Sequence, residues 1–333
     1  MHKLKRKYVI GVHVMFFEIE IFKEYIDGLL NLLNTVENKE NVVLDFCFNT
    51  SEHIEKIDTS QISKFELRGK FDEQIARIKG YDCKVNYHDT DDGVYYHADY
   101  RRDLNYNYCK KVDYIMWGET DSFFPKEAFQ AIEQLADYTD SQNIHRYILS
   151  FADRKMWDAT WDPLVHPKFE SHIFVDDDKG HLNPNQAKSP MSIEKMNGIN
   201  AKADEFDFTY ITKPKISGAC LVLSSDLIKC GVNVPPCLLY NDDEGLSIMS
   251  ERILGNTFVQ FVCRNVLHVH ARRHPQKRMY VRGEDNPHSF ISQKNERFQK
   301  LLELSKHNIN SLHTGQNKFY EYNDLKNILE TIK

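Results

Sequence analysis

Hydrophobic positions follow two alternating periods along the first part of the chain. Runs of β-branched and aromatic residues, typical of buried strands, are followed by segments with apolar residues three or four positions apart, typical of amphipathic helices. The pattern predicts strands at 7–17, 41–48, 82–87 and 112–117, and helices at 18–34, 71–79, 97–110 and 126–138. Because strands alternate with helices, we expect an α/β fold with a mostly parallel sheet covered by helices on both faces.

The pattern becomes less regular in the second part of the chain. Residues 172–208 are polar, contain two prolines and show little periodicity, which predicts a long loop or insertion. The remaining predicted elements are strands at 216–224 and 257–270, a helix within 238–254, and two amphipathic helices at 289–305 and 319–332. The last two helices would form a C-terminal extension.

Composition excludes several classes of protein. A hydrophobic share of 41% rules out a disordered chain, and no run approaches the roughly 20 apolar residues of a membrane-spanning helix. The seven cysteines include no C-x-x-C pair, which disfavours a disulfide framework and a structural zinc site and favours a reducing cytoplasm. The formal net charge of −6 argues against a general nucleic-acid coat protein.

Two acidic motifs lie where a ligand site is expected. The motif ETD at 119–121 directly follows the strand predicted at 112–117, and parallel sheets bind ligands beyond the carboxyl ends of their strands. Two carboxylates there could share Mg²⁺ or Mn²⁺, although the motif alone also fits a solvated loop. The motif NDDE at 241–244 begins a predicted helix, where acids are favoured as caps. Three acids exceed what a cap needs, so one of them could be a general base.

Histidines and basic residues follow near the end of the predicted sheet. His268 and His270 are two residues apart on a predicted strand, so both side chains would face one way, as suits metal ligation. Two partly exposed histidines without a function are the alternative. A segment without acids covers 252–283 and contains many basic residues. Such a segment often forms a solvated face, but here it could also contact a diphosphate or a nucleic-acid backbone.

Taken in order, these motifs resemble glycosyltransferases of the GT-A fold, most closely those of family 2, over residues 7–271. That family opens with a strand–helix–strand unit that binds the nucleotide, followed by a helix with an Ala-Arg-Asn-like segment. A hydrophobic strand then ends in Asp-x-Asp, and a glycine-containing strand, a Glu-Asp motif and a strand ending in histidine follow. The matching segments are 8–17 with 41–51, HADYRRDLNYNY at 97–108, WGETDSFFP at 117–125, ISGACLVLS at 216–224, DDEGL at 242–246 and the histidines at 268 and 270.

The resemblance implies a GT-A (Rossmann-like) domain at 1–285 and a C-terminal helical extension at 286–333. Within the domain, residues 1–121 would form the nucleotide-sugar-binding half and residues 122–285 the acceptor half, which includes the loop at 172–208. The implied activity is transfer of a sugar from a nucleotide-diphosphate sugar, with a UDP-sugar favoured, to an acceptor hydroxyl. Inversion at the anomeric carbon is the favoured stereochemistry.

The same resemblance implies roles for individual residues. A Mn²⁺ or Mg²⁺ cofactor would be held by Asp121 with His268 or His270. Asp243 would be the general base, with Asp242 beside it. Donor contacts would come from Glu119, Asp121, Arg101, Arg102, Asn105, Arg272, Arg273 and Lys277. The acceptor side would include Trp157, Trp161 and Glu244, although tryptophans are more often buried in a core.

Two departures from the family pattern concern the donor. The first acid of the triplet is Glu119 rather than aspartate, and the turn after the second strand reads NTS at 49–51, where the family has an acid. A carboxylate facing uracil would then come from Asp89, Asp91 or Asp92. These differences leave the base of the donor open.

Two other functions also remain open from the sequence. A nucleotidyltransferase that makes sugar nucleotides would use the same acids and cation, but the segment HVMFFEIE after the first strand lacks the expected glycines and basic residue. A non-catalytic nucleotide-sugar-binding protein on the same scaffold is the second alternative. The favoured acceptor is a saccharide or another small hydroxyl compound, whereas a modified DNA base could be reached through the basic residues at 264–282.

Overall fold

The structure, a computed structural model, describes residues 1–91, 93–152, 166, 192–200, 205–270, 276–283, 296–316 and 318–331. Its strands are β1 (Tyr8–Met15), β2 (Val42–Asn49), β3 (Lys84–Thr90), β4 (Tyr114–Gly118), β5 (Ser122–Phe123), β6 (Ile148–Ala152), β7 (Phe208–Ile211), β8 (Leu221–Ser224), β9 (Gln260–Leu267) and β10 (Val269–His270). Its helices are α1 (Ile19–Leu33), α2 (Lys64–Lys79), α3 (His97–Tyr108), α4 (Ala128–Ser141), α5 (Ile193–Asn200), α6 (Ser225–Lys229), α7 (Asp242–Leu254), α8 (Glu296–Thr314) and α9 (Tyr322–Thr331).

Eight strands form one sheet in the order β3-β2-β1-β4-β8-β6-β9-β7. β1 pairs in parallel with β2 and β4, β2 with β3, and β6 with β9. β8 is antiparallel to both of its neighbours, and β7 is antiparallel to β9. The predicted α/β class with a mostly parallel sheet is therefore confirmed, and the carboxyl ends of β1, β2 and β4 meet at one edge.

The two faces of the sheet carry separate hydrophobic cores. Every residue of β1 is buried, and alternate side chains enter different cores, as the period of two in a strand requires. Ile10 and Val12 pack in the larger core with Phe22 of α1. Val9 packs in the other core with Leu104 of α3. The mostly apolar run of β1, in which His13 is the polar residue, thus reflects a strand covered by helices on both sides.

Gly11 marks a close approach between β1 and α3. A Cβ atom at this position would lie 2.2 Å from Leu104 Cδ2 and 2.9 Å from the hydroxyl of Tyr100. We therefore expect Gly11→Ala to lower the free energy of unfolding by about 1–3 kcal/mol through overpacking, as measured by urea denaturation. Gly69→Ala is the matched control, since nothing lies within 4 Å of a Cβ there. Because Gly69 is inside α2, the control should gain about 0.5–1 kcal/mol. A Gly11→Ala protein as stable as the wild type would contradict this packing.

Two segments differ from the sequence prediction. α2 begins at Lys64 rather than at 71, because Ser63 caps its first turn and forms a capping box with Glu66. The expected loop at 172–208 contains helix α5 and the start of β7. Helix α5 was missed because it is only eight residues long, too short to show a clear helical period. It packs through Ile193, Met196 and Ile199 with Leu267 and Val269.

The predicted C-terminal helices are present as α8 and α9. α8 packs against α7, and the guanidinium of Arg252 in α7 donates to the carbonyl oxygens of Leu312 and His313. Phe298 of α8 contacts the ring of Tyr240, with 5.8 Å between ring centroids. The C-terminal helices thus support the helix that carries the second acidic motif. Within the described ranges, none of the helices has both the length and the apolar character needed to cross a bilayer.

Candidate functional site

Three side chains meet beyond the carboxyl end of β4. Glu119 and Asp121 follow β4 directly, and the antiparallel pairing of β5 with β10 sets His270 opposite Ser122. His270 Nε2 lies 3.0 Å from Glu119 Oε2 and 3.5 Å from Asp121 Oδ1. One ligand atom from each residue lies within 4.8 Å of the other two. Two carboxylate oxygens and an imidazole nitrogen at this spacing fit a divalent cation such as Mn²⁺ and could hold one.

The charges in this cluster compensate one another although the cluster is buried. Burial alone would raise the pKa of the Asp121 carboxyl, but Lys277 and His270 hold that pKa below its usual range. Burial would also raise the pKa of Glu119, whereas His270 and Arg101 hold it well below its usual value. For His270, burial lowers the pKa and the two carboxylates more than reverse that effect. Both acids are therefore ionised, as ligands of a cation must be, whereas His270 would release its proton when its nitrogen binds a cation.

His268 lies outside the cluster formed by the described residues. β9 ends at Leu267 and β10 begins at Val269, so the strand is interrupted at His268. β9 belongs to the main sheet, whereas β10 pairs with β5 in a separate two-stranded ribbon. The prediction that both histidines face one way assumed a continuous strand. With the interruption, it is His270 that joins the two carboxylates.

Arg101 links this cluster to the first turn of α7. Its guanidinium donates to Glu119 Oε1 and to the carbonyl of Gly218, both at 2.8 Å, and to Asp242 Oδ2. The guanidinium also lies 4.7 Å from the ring centroid of Trp117. A Cβ atom at Gly218 would lie 2.3 Å from Arg101 Nη1, so only glycine allows this approach. Arg101 was expected to contact the donor, and in the structure it is 4% exposed and ion-paired within the protein.

Lys277 approaches the cluster from the other side. Its Nζ lies 2.7 Å from Asp121 Oδ2 and 3.0 Å from Glu18 Oε1, and all three side chains are buried. Glu18 was not among the predicted site residues. It follows the carboxyl end of β1, so the rule that singled out the acids after β4 would have found it if applied to β1 as well.

Asp243 and Asp242 have different surroundings despite being adjacent. Asp242 is buried and paired with Arg101, whereas Asp243 is half-buried and accepts a hydrogen bond from the backbone N–H of Glu244 at 2.8 Å. Burial, followed by the charge of Asp242, raises the pKa of Asp243 to about 7. Such a carboxyl can exchange a proton near neutral pH, as a general base must. Asp243 therefore differs from Asp242, which is held in the ion pair with Arg101.

Arg102 and Asn105 contact the loop at 233–238. Arg102 donates to the carbonyl oxygens of two loop residues, at 3.2 and 3.4 Å. Asn105 is fully buried, accepts from the indole N–H of Trp117 at 2.9 Å and donates to a loop asparagine at 2.8 Å. Arg102 and Asn105 therefore contact the loop that precedes α7. Arg101 is the α3 residue that contacts the carboxylate cluster.

The remaining predicted site residues are dispersed. Glu244 is exposed, and its Oε1 lies 3.3 Å from His313 Nε2 of α8. Asn49, at the family's acid position, accepts from the N–H of Ser51 and donates to the carbonyl of Tyr95, both at 2.8 Å, which fixes the local turn. Four predicted residues and one of the candidate uracil-facing acids lie outside the described residues: Trp157, Trp161, Arg272, Arg273 and Asp92.

Comparisons with known proteins gave matches among solved structures. No protein-family model matches the chain, and a search of curated proteins found no relative. S. aureus TarS 1-349 is 12% identical with a TM-score of 0.37, over 77% of this chain and 60% of that one. Mouse xyloside xylosyltransferase 1 in its apo form is 11% identical with a TM-score of 0.32, over 67% of this chain and 69% of that one.

The mouse protein is, by its name, a xylosyltransferase. The chain spans 60% of the length of the TarS structure. The order and direction of the strands show the α/β fold class. The chain is therefore an α/β protein, similar to GT-A glycosyltransferases in the order of its motifs.

Proposed function

We propose that this protein is a metal-dependent glycosyltransferase that moves a sugar from a nucleotide-diphosphate sugar to an acceptor hydroxyl. The observation that carries the proposal is the Arg101 bridge, which ties Glu119 of the carboxylate–histidine cluster to Asp242. The bridge supports the proposal because it joins the proposed cation site to the residue next to Asp243, whose carboxyl has a pKa of about 7. A cation that stabilises the leaving diphosphate and a base that accepts the proton of the hydroxyl would together support sugar transfer.

The residues of the site would divide the chemistry between them. Glu119, Asp121 and His270 would hold Mn²⁺ or Mg²⁺, and the cation would neutralise charge on the leaving diphosphate. Asp243 would accept the proton of the acceptor hydroxyl as that oxygen attacks the anomeric carbon. A base on the side opposite the leaving diphosphate would favour a single displacement, so we propose inversion of the anomeric configuration.

For the donor we propose a UDP-sugar, as the family resemblance favours. A carboxylate from the 89–91 segment could face the base, although Asp89 is an ion-pair partner of Arg68. For the compartment we propose a reducing cytoplasm. All seven cysteines lie in the described part of the chain, and all are free thiols, which supports that proposal.

For the acceptor we propose a saccharide or another small hydroxyl compound. The basic stretch at 264–282 supports a nucleic acid less well than its composition suggests, because several of its cations are ion-paired within the protein. Arg264 Nη1 lies 3.5 Å from Asp207 Oδ2, and Arg278 Nη2 lies 2.6 Å from Glu55 Oε1. Lys277 is held by the two acids described above. Phosphate groups would have to displace these partners.

A donor screen tests the proposed function. The full chain, with Mn²⁺ and an acceptor library, should release a nucleoside diphosphate from one sugar nucleotide. Asp121→Asn should lower the rate by about 100-fold or more, since the site loses a charge that stabilises the cation. Asp226→Asn is the matched control, because Asp226 is a partly exposed acid paired with Lys229. Release of pyrophosphate from a nucleoside triphosphate and a sugar phosphate would instead indicate a nucleotidyltransferase.

A further inference from the structure

Each carboxylate of the cluster divides its two oxygens between His270 and a buried cation. Glu119 turns Oε2 toward His270 Nε2 at 3.0 Å and Oε1 toward Arg101 Nη2 at 2.8 Å. Asp121 turns Oδ1 toward His270 Nε2 at 3.5 Å and Oδ2 toward Lys277 Nζ at 2.7 Å. One oxygen of each acid therefore faces the imidazole, and the other is held by a charge-assisted hydrogen bond.

Each of the two cations is itself fixed by a second buried acid. Arg101 is paired with Asp242, and Lys277 lies 3.0 Å from Glu18 Oε1. Glu18 is in turn held by the N–H of Met15 at the end of β1, at 3.3 Å. All four of these charged side chains are buried, so water does not weaken the pairs. Two acid–cation pairs therefore hold the cluster from opposite sides.

We propose that Lys277 with Glu18, and Arg101 with Asp242, are positioning residues that limit Asp121 and Glu119 to one ligand oxygen each, so that the site selects Mn²⁺ over Ca²⁺. Ca²⁺ takes six to eight oxygens and often binds both oxygens of a carboxylate, whereas smaller cations accept fewer and shorter contacts. Carboxylates with one oxygen already occupied disfavour the larger ion. Outer partners of this kind typically change metal affinity by about 10–100-fold. The inference rests on the cation site of the proposed function and not on sugar transfer.

The test compares the affinities of the full chain for Mn²⁺ and Ca²⁺ without any sugar nucleotide. Mn²⁺ binding is followed by electron paramagnetic resonance and Ca²⁺ by its competition with Mn²⁺. The wild-type protein should bind Mn²⁺ at least about tenfold more tightly, and Lys277→Met should reduce that ratio by about tenfold. Loss of the lysine charge strengthens the binding of both dications alike. A change in the ratio of the Mn²⁺ and Ca²⁺ affinities therefore reports a change in the orientation of the Asp121 carboxylate. Lys277→Arg keeps a donor at Oδ2 and should preserve the wild-type ratio.

Two further variants keep the test decisive. Glu18→Gln should shift the ratio in the same direction by a smaller factor, and it decides the question if Lys277→Met does not fold. Lys126→Met removes a partly exposed lysine outside the cluster and should leave the ratio unchanged. An unchanged ratio in both Lys277→Met and Glu18→Gln overturns the proposal, as does a wild-type protein that binds neither ion or both equally. Selective Mn²⁺ binding without turnover of any sugar nucleotide would refute the proposed function and leave this inference standing.

Discussion

Asp243→Asn should lower kcat for sugar transfer by about 10²–10⁴-fold and leave the KM for the sugar nucleotide nearly unchanged. An amide has almost the same shape as a carboxyl but cannot accept a proton from the acceptor hydroxyl. Steady-state kinetics with the donor found in the screen measure both constants. Glu251→Gln, an exposed acid further along α7, is the matched control and should behave as the wild type. A kcat for Asp243→Asn within threefold of the wild-type value would eliminate Asp243 as the base.

The pH dependence gives a second, independent view of the same carboxyl. Since the pKa of Asp243 is raised to about 7, the rate should rise with pH to a plateau, with a midpoint near 7. The folded protein then binds this proton more tightly than the unfolded chain, whose aspartates titrate near a pKa of about 3.9. Protonation of Asp243 therefore contributes to the free energy of unfolding. This contribution is complete below a pH of about 3.9 and is lost as the pH rises through about 7.

Asp243→Asn removes this titration and should therefore stabilise the protein at high pH. The gain in Tm over the wild type should be larger at pH 8 than at pH 5, as measured by thermal unfolding in matched buffers. Glu251→Gln should show the same small difference at both values. A gain that is equal at pH 5 and pH 8 would mean that the Asp243 pKa is not raised in the folded state.

Arg101→Met should lower the free energy of unfolding by about 3–5 kcal/mol, the largest stability effect expected for the site. The substitution leaves Glu119 and Asp242 close together in a buried region without their shared cation. Urea denaturation measures the loss. Lys23→Met is the comparison, because it breaks an exposed ion pair with Asp27 and should cost no more than about 0.5 kcal/mol.

A double variant distinguishes charge compensation from simple loss of packing. In Arg101→Met with Asp242→Asn, one of the two uncompensated acids is gone, so this protein should be more stable than Arg101→Met alone. Asp242→Asn by itself should destabilise, because it removes a partner of the buried guanidinium. If the two losses simply add, Arg101 contributes through packing on Trp117 rather than as the bridge between the acids.

The spacing of hydrophobic residues predicted those elements and site residues whose environment depends on residues close to them in sequence. β1 and α1 were predicted because a buried strand and an amphipathic helix each have a characteristic pattern of hydrophobic residues. Glu119 and Asp121 were predicted because they directly follow the buried strand β4. Helix α5 has no recognisable pattern of this kind, since its eight residues cover little more than two turns. The interruption at His268 also has no signature in a run of apolar residues.

The ion pairs of the site could not be predicted in the same way. Lys277 meets Asp121 across 156 residues of sequence, and Arg101 meets Asp242 across 141. Charged residues at such separations have no periodic relation, so only the topology of the sheet brings them together. Arg101 and Lys277 were singled out from the sequence as residues that would contact the sugar-nucleotide donor. In the structure, each of them is bound to two acids of the protein.

The β5–β10 ribbon has a consequence for co-translational folding. Its first strand belongs to the half that emerges early, and its second strand emerges only after β9. Until Lys277 follows, Glu18 and Asp121 lack their common cation, and burying uncompensated carboxylates costs several kcal/mol each. The edge of the nascent sheet should therefore stay hydrated, and the cluster should close last, when the second half docks. A ribosome-stalled chain that ends before residue 269 should accordingly have most of its sheet and no cation site.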